Sequence, residues 1–126
     1  MSGLITKATS DDTSPVPVYT LREMADLTMQ SIKESDNLRA GLLARLSRQS
    51  PDVKFKTLRV IKYICLHGRV EFKMSWQRDN AAIKTCLQFQ CPPDELRGDR
   101  PAENVRNEAQ ACLEAIFSET APTSNA

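Results

Sequence analysis

The sequence has little of what catalytic sites are usually built from. It contains one histidine, His67, and only four glycines in 126 residues. Neither a glycine-rich phosphate loop nor a clear set of nucleophile, base and acid is present. Asp11 and Asp12 form an adjacent carboxylate pair, but in a loop rich in Ser and Thr they are better explained as turn-forming residues. We therefore expect a chain that is not an enzyme and that holds no cofactor.

Signals for metal binding, export and membrane insertion are equally scarce. The four cysteines are Cys65, Cys86, Cys91 and Cys112, and no two of them form a Cys-x-x-Cys pair. This spacing favours free thiols in a reducing compartment over a metal site. No apolar run approaches the roughly 20 residues that a membrane span needs. The first residues are too few and too polar for a signal peptide. We expect a soluble, cytoplasmic chain without a metal.

An excess of charge of one sign is also missing. Lys and Arg total 17 against 16 Asp and Glu, a net charge of +1, so no nucleic-acid partner is expected. A local series of basic residues lies in one predicted helix: Lys54, Lys56, Arg59 and Lys62. This series is interpreted as a solvated outer face, or as a weak contact for acidic lipid head groups or an acidic partner segment.

Apolar residues at helical spacing run through most of the chain and predict an all-α fold. The clearest helix is capped by Ser50, has Pro51 at its first position and ends before Gly68. A helix is predicted to begin at Thr20, with Glu23 completing a capping box. The next helix is expected to begin near residue 35 or 36 and to contain Gly41, where a neighbouring helix would approach closely. Residues 70–89 read as one long helix or as two helices joined near residues 79–80.

Short links between helices favour antiparallel neighbours, which stack into a compact right-handed superhelix of about six to seven helices. Residues 1–117 are predicted to form this domain, and residues 118–126, small and polar, to begin a linker or tail. Trp76, the only tryptophan, is predicted to lie in the core; an exposed Trp76 would indicate a peptide groove.

Several short strings occur in a characteristic order. They are residues 7–12 (KATSDD), 23–28 (EMADLT), 44–46 (ARL) and 62–64 (KYI) with Gly68. This ordered set is similar to the consecutive motifs of epsin N-terminal homology (ENTH) domains over about residues 4–117. Residues 93–99 (PDELRGD), Val105-Arg106 and residues 115–119 (AIFSE) resemble the tepsin-like branch of that family.

The resemblance implies a non-enzymatic adaptor in vesicle traffic, on coats formed with the fourth adaptor-protein complex or clathrin machinery. Such a protein would be cytoplasmic and peripheral on trans-Golgi or endosomal vesicles. It would contact coat and adaptor proteins mainly through a tail beyond this domain, and a monomer is expected. The candidate interaction surface consists of Lys54, Lys56, Arg59, Lys62, Arg45, Pro93 and Arg97.

The sequence departs from epsins at the positions that hold a phosphoinositide head group. The residues at those positions here are Thr6, Asp11, Asp52 and Val53. Arg45 remains, but a lone Arg cannot cradle a multiply charged head group. We therefore expect no tight phosphoinositide site and only weak or indirect membrane contact.

Two other functions fit the same architecture. Domains that bind the phosphorylated tail of RNA polymerase II would need a basic and aromatic groove, for which Arg59, Lys62 and Tyr63 are candidates. VHS-like domains read sorting signals in a helical groove. Fold likeness alone does not choose among these functions.

Overall fold

The computed structural model describes residues 2–12 and 14–118, which form seven helices. Their bounds are α1 (Ser2–Ala8), α2 (Val18–Gln30), α3 (Ile32–Leu46), α4 (Pro51–His67), α5 (Val70–Arg78), α6 (Ala81–Cys86) and α7 (Arg100–Ile116). Apart from one isolated bridge between Asp94 and Gly98, these residues contain no β-structure. The prediction of an all-α fold of six to seven helices is confirmed.

Helix α4 is the centre of the stack. It packs most extensively on α7 and also contacts α1, α2, α3 and α5. Its apolar stripe is fully buried and has the predicted members: Leu58, Ile61, Ile64 and Cys65. The predicted ends are confirmed, because Ser50 Oγ accepts a hydrogen bond from the Val53 N–H at 3.3 Å and the Gly68 N–H donates to the Ile64 carbonyl at 2.7 Å.

The predicted starts of α2 and α3 are wrong. Helix α2 begins at Val18 after the extended Pro17, and Thr20 lies buried inside the helix instead of capping it. Helix α3 begins at Ile32, directly after one extended residue, Ser31, whose Oγ accepts from the Glu34 N–H at 3.1 Å. The cap at Ser31 thus ends one helix and starts the next without an intervening loop.

Two packing predictions are confirmed. A Cβ on Gly41 would collide with the Cδ1 of Ile5, so glycine lets α1 lie close against α3. Trp76 is fully buried, with Phe72 edge-on to it at 6.3 Å and the Arg39 guanidinium 4.4 Å from its ring centroid.

All four cysteines are free thiols, as predicted. Three of them are buried, and burial raises the pKa of Cys65 to about 12, so this thiol stays protonated at neutral pH and packs as a small apolar group. Within residues 2–12 and 14–118, no three His, Cys, Asp or Glu side chains are grouped so that they could hold a metal ion. No helix in this part of the chain has the length and apolar character needed to cross a membrane.

The predicted tail falls almost entirely outside the described residues, which end at Ser118. Ser118 itself is attached to the helical stack, since Lys73 Nζ donates to its carbonyl at 2.7 Å and to its hydroxyl at 3.1 Å. Helix α7 is thereby tied to α5 at its carboxyl end.

Candidate functional site

The basic series on α4 is not the solvated face that helical periodicity suggested. Lys54 is only 8% exposed. Its Nζ donates to the Leu46 carbonyl at 2.8 Å and lies 5.3 Å from the ring centroid of Phe89. The ammonium therefore donates to a carbonyl at the carboxyl end of α3, and it is not available as a surface charge.

Lys56 is also buried, at 5% exposure. Its Nζ lies 2.6 Å from Asp12 Oδ1 and 3.1 Å from both the carbonyl and the hydroxyl of Ser10. The Lys56 ammonium holds the pKa of Asp12 well below its usual range. These contacts attach the connection between α1 and α2 to the centre of the fold.

The last two cations of the series differ from each other. Lys62 is half-buried and pairs with Glu108 of α7, with Nζ 2.6 Å from Oε2. Arg59 is exposed, its guanidinium lies 5.6 Å from the Phe55 ring centroid, and no carboxylate among the described residues forms an ion pair with it. Of the four basic residues, only Arg59 thus combines an exposed side chain with the lack of an ion pair among the described residues. Tyr63 packs on His67, with ring centroids 4.4 Å apart.

Arg45, Asp11 and Val53, which the resemblance relates to a phosphoinositide site, are engaged in the fold. Arg45 donates from Nε to the Thr9 hydroxyl and from Nη2 to the Thr9 carbonyl, both at 2.8 Å. Asp11 accepts from the Ser50 hydroxyl at 2.6 Å, and Val53 is buried at 3% exposure. Thr6 is exposed. Arg45 and Asp11 border a shallow recess together with Arg48, an exposed arginine that sequence reasoning did not single out.

The loop before α7 is a tight turn that is tied to α4. The Asp94 carboxylate accepts hydrogen bonds from the backbone N–H groups of Leu96 and Arg97, and these bonds lower the pKa of Asp94. Gly98 takes a left-handed φ of 61°. Arg97 bridges Asp94 at 3.3 Å and Asp52 at 3.1 Å, and Asp52 raises the pKa of the guanidinium. Asp52 therefore anchors this loop to the start of α4.

Pro93, in the same loop, is exposed. It makes none of the hydrogen bonds that close the turn at residues 94–98, so its place in the candidate interaction surface remains a prediction.

These contacts outline a groove that sequence reasoning missed. It lies between Asp12 with residues 14–16 and the first turns of α4 and α7, and it encloses about 240 Å³. We call it the α4–α7 groove. Its apolar lining includes Pro15, Val16, Pro51, Phe55 and Pro101, and its polar lining includes Arg59 and Arg97. The one sequence signal was that both helices begin with a proline at the first or second position, which places two flat apolar rings at neighbouring helix starts.

Three of the residues predicted for the interaction surface line the groove, two of them with exposed side chains and one with a buried side chain. Arg59 and Arg97 line it with exposed side chains, and the buried Lys56 contributes to its wall. Lys54 lines a separate recess near Phe89, and Arg45 lines the recess beside the start of α4. The predicted residues therefore do not form one continuous basic surface.

Known proteins similar to this chain agree on its family. A model of the ENTH domain matches residues 1–120. The mouse AP-4 complex accessory subunit tepsin is 36% identical over 119 residues, which cover 94% of this chain and 21% of tepsin. The Arabidopsis thaliana protein MODIFIED TRANSPORT TO THE VACUOLE 1 is 38% identical over 122 residues, covering 94% of this chain and 17% of that protein. The chain thus spans about a fifth of the length of these relatives.

Solved structures give the same result. The NMR structure of an ENTH-VHS domain from Arabidopsis thaliana superposes with a TM-score of 0.89 and 36% identity, covering 98% of this chain and 91% of that one. The epsin-2 ENTH domain, solved in complex with phosphatidylinositol 4,5-bisphosphate, has a TM-score of 0.84 over 94% of this chain and 82% of its own. At 21% identity it shows the shared fold alone. The chain belongs to the ENTH domain family, whose members are non-enzymatic modules of vesicle-trafficking adaptors.

Proposed function

We propose that this domain is the folded, protein-binding part of an accessory protein on vesicle coats formed with the AP-4 complex or the clathrin machinery. It acts at the cytoplasmic surface of trans-Golgi or endosomal vesicles, as a monomer and without a tight phosphoinositide site of its own. Its similarity to tepsin, an AP-4 accessory subunit, supports the coat assignment. Contacts to the adaptor complex are made mainly by chain beyond residue 118.

The commitment of the basic residues to internal contacts carries the lipid part of the proposal. Lys54 and Lys56 are buried, and Arg45 uses two of its nitrogen atoms on Thr9. A polyphosphate head group would have to displace these bonds, leaving the Asp12 carboxylate and the Leu46 and Thr9 carbonyls without their donors. Asp11 borders the same recess as Arg45, and its negative charge repels phosphate.

Liposome sedimentation tests the lipid part. Vesicles of phosphatidylcholine with phosphatidylinositol 4,5-bisphosphate are compared with vesicles that carry the same total charge as phosphatidylserine. We expect equal, weak binding to both, because only non-specific charge is available. The epsin-2 ENTH domain, solved with this lipid, serves as the positive control. Binding that depends on the bisphosphate and is lost in Arg45→Gln would overturn this part.

Affinity capture tests the coat part. The natural full-length protein and the same protein lacking residues 1–117 are used to capture AP-4 and clathrin adaptor subunits from cell extract. We expect AP-4 subunits with both forms, because the main contacts lie outside the domain. Failure of the full-length protein to capture any coat subunit would contradict the assignment.

A further inference from the structure

We propose that the α4–α7 groove binds a short peptide in which a carboxylate side chain neighbours an apolar side chain, with Arg59 receiving the carboxylate. This inference rests on the proposed function, because it names the partner chemistry of a domain that acts by binding. The partner is a protein segment, not a membrane and not a nucleic acid.

The charges around the groove leave one cation unused. Its two carboxylates are each held by a basic residue, Asp12 by Lys56 at 2.6 Å and Asp52 by Arg97 at 3.1 Å. Arg59 has no such partner among the described residues. The amino-terminal turns of α4 and α7 both border the groove and add their positive dipole ends. The groove is therefore complementary to a single negative charge.

A cation–π contact with Phe55 positions the Arg59 guanidinium for this role. Its centre lies 5.6 Å from the Phe55 ring centroid, so the side chain has a resting place beside the groove. A planar guanidinium with free N–H groups matches a carboxylate through two parallel hydrogen bonds. A phosphate dianion carries about twice the charge, and the groove offers no second free cation to balance it.

The size and lining of the groove define the second element of the peptide. A volume of about 240 Å³ is below the roughly 300–1,000 Å³ of small-molecule and cofactor sites, and it suits a single side chain. Proline rings and Phe55 line the space. Because prolines cannot donate backbone hydrogen bonds, this part of the lining favours an apolar side chain over a polar one. An apolar side chain such as Leu or Phe would bury its surface there, while the adjacent carboxylate reaches Arg59.

Titration of the 15N-labelled 126-residue chain tests the inference. The probes are capped octapeptides of Ser and Gly that carry one Asp and one Leu, separated by zero to three residues. We expect amide shifts confined to groove residues such as Phe55, Arg59 and Asn104 for at least one spacing. Changing Asp to Asn, or Leu to Ser, in the best peptide is expected to weaken binding about tenfold.

The matched variants are Arg59→Gln and Arg78→Gln, two exposed arginines of which only the first borders the groove. We expect Arg59→Gln to weaken binding of the best peptide about tenfold and Arg78→Gln to leave it unchanged. Both variants keep the wild-type thermal midpoint, since neither side chain is buried.

Three outcomes would overturn the inference. They are absence of groove shifts with every spacing, equal binding by both arginine variants, and tighter binding when phosphoserine replaces Asp. The last outcome would assign the groove to phosphopeptides, including the polymerase-tail type. Capture of AP-4 subunits by the full-length protein is independent of all three, so a failed groove and a failed coat assignment are distinguishable.

Discussion

The ion pair between Lys62 and Glu108 joins the two longest helices of the fold, α4 and α7. Lys62→Met removes the ammonium but keeps most of the side-chain volume. The Glu108 carboxylate, whose side chain is 10% exposed, would then lie at the contact between α4 and α7 without its partner. We therefore expect a loss of stability that comes from the carboxylate left behind, and not only from the lost attraction.

The geometry sets the size of this loss. Breaking a fully buried pair costs about 3–5 kcal/mol, while exposed pairs are worth about 0–1 kcal/mol. The Lys62 side chain retains 30% exposure, so water reaches one side of the pair. We expect Lys62→Met to lower the free energy of unfolding by about 2 kcal/mol. With a urea m-value of about 2 kcal/mol/M, the midpoint falls by about 1 M.

Urea denaturation of a double-mutant cycle measures this coupling. The set is Lys62→Met, Glu108→Met, the double variant, and Lys33→Met as an exposed control. We expect the double variant to recover more than half of the loss, because two methionines pack without a stranded charge. The control should shift the midpoint by less than about 0.25 M. A coupling energy below about 0.3 kcal/mol would refute the reasoning.

Three further changes have defined outcomes. Contact with Lys56 lowers the pKa of Asp12 in the folded state. The contribution of Asp12 to the free energy of unfolding is therefore complete above its unfolded-state pKa of about 4. The wild type should thus exceed Asp12→Asn in urea midpoint at pH 6, and the gap should shrink as the pH falls from about 4 to 2; a gap that does not depend on pH would contradict this. Gly68→Ala should cost about 1–3 kcal/mol in thermal unfolding, because its Cβ would lie 2.9 Å from a backbone carbonyl; an unchanged midpoint would show that the turn relaxes freely. Arg39→Met should cost about 1–2 kcal/mol, since it removes the cation over Trp76 and a 2.8 Å hydrogen bond from Arg39 to a backbone carbonyl; a stabilised variant would argue against that contact.

The sequence was most informative where one local signal had no competitor. Ser50 and Pro51 open α4, and Gly68 follows its last residue, as predicted, because capping depends only on neighbouring backbone groups. Of the two alternatives for residues 70–89, the structure has the second, with α5 and α6 joined at residues 79–80.

Local signals misled where two of them competed. Thr20 with Glu23 and Ser31 with Glu34 both match a capping box, and only the second caps a helix. Pro17 decided the first case, since its fixed φ places the cap position three residues before the predicted one.

The partners of the basic residues could not be predicted from spacing. Lys54 and Lys56 were placed on an outer face by helical periodicity, yet both ammonium groups reach groups on other parts of the chain. Lys56 meets Asp12 across 44 positions of sequence, and only the packing of the first loop on α4 brings them together. The α4–α7 groove depends on the same packing, which is why its lining was not predicted.

Titration of the labelled chain with soluble inositol 1,4,5-trisphosphate tests the central claim most directly, namely that Arg45 and Lys56 are committed to internal contacts and do not hold a head group. The signals to follow are Arg45 Nε–H and the Lys56 ammonium at neutral pH. We predict no saturable shift of either signal, because their bonds to Thr9 and Asp12 persist. A saturable shift of both signals, reversed by high salt, would contradict the account.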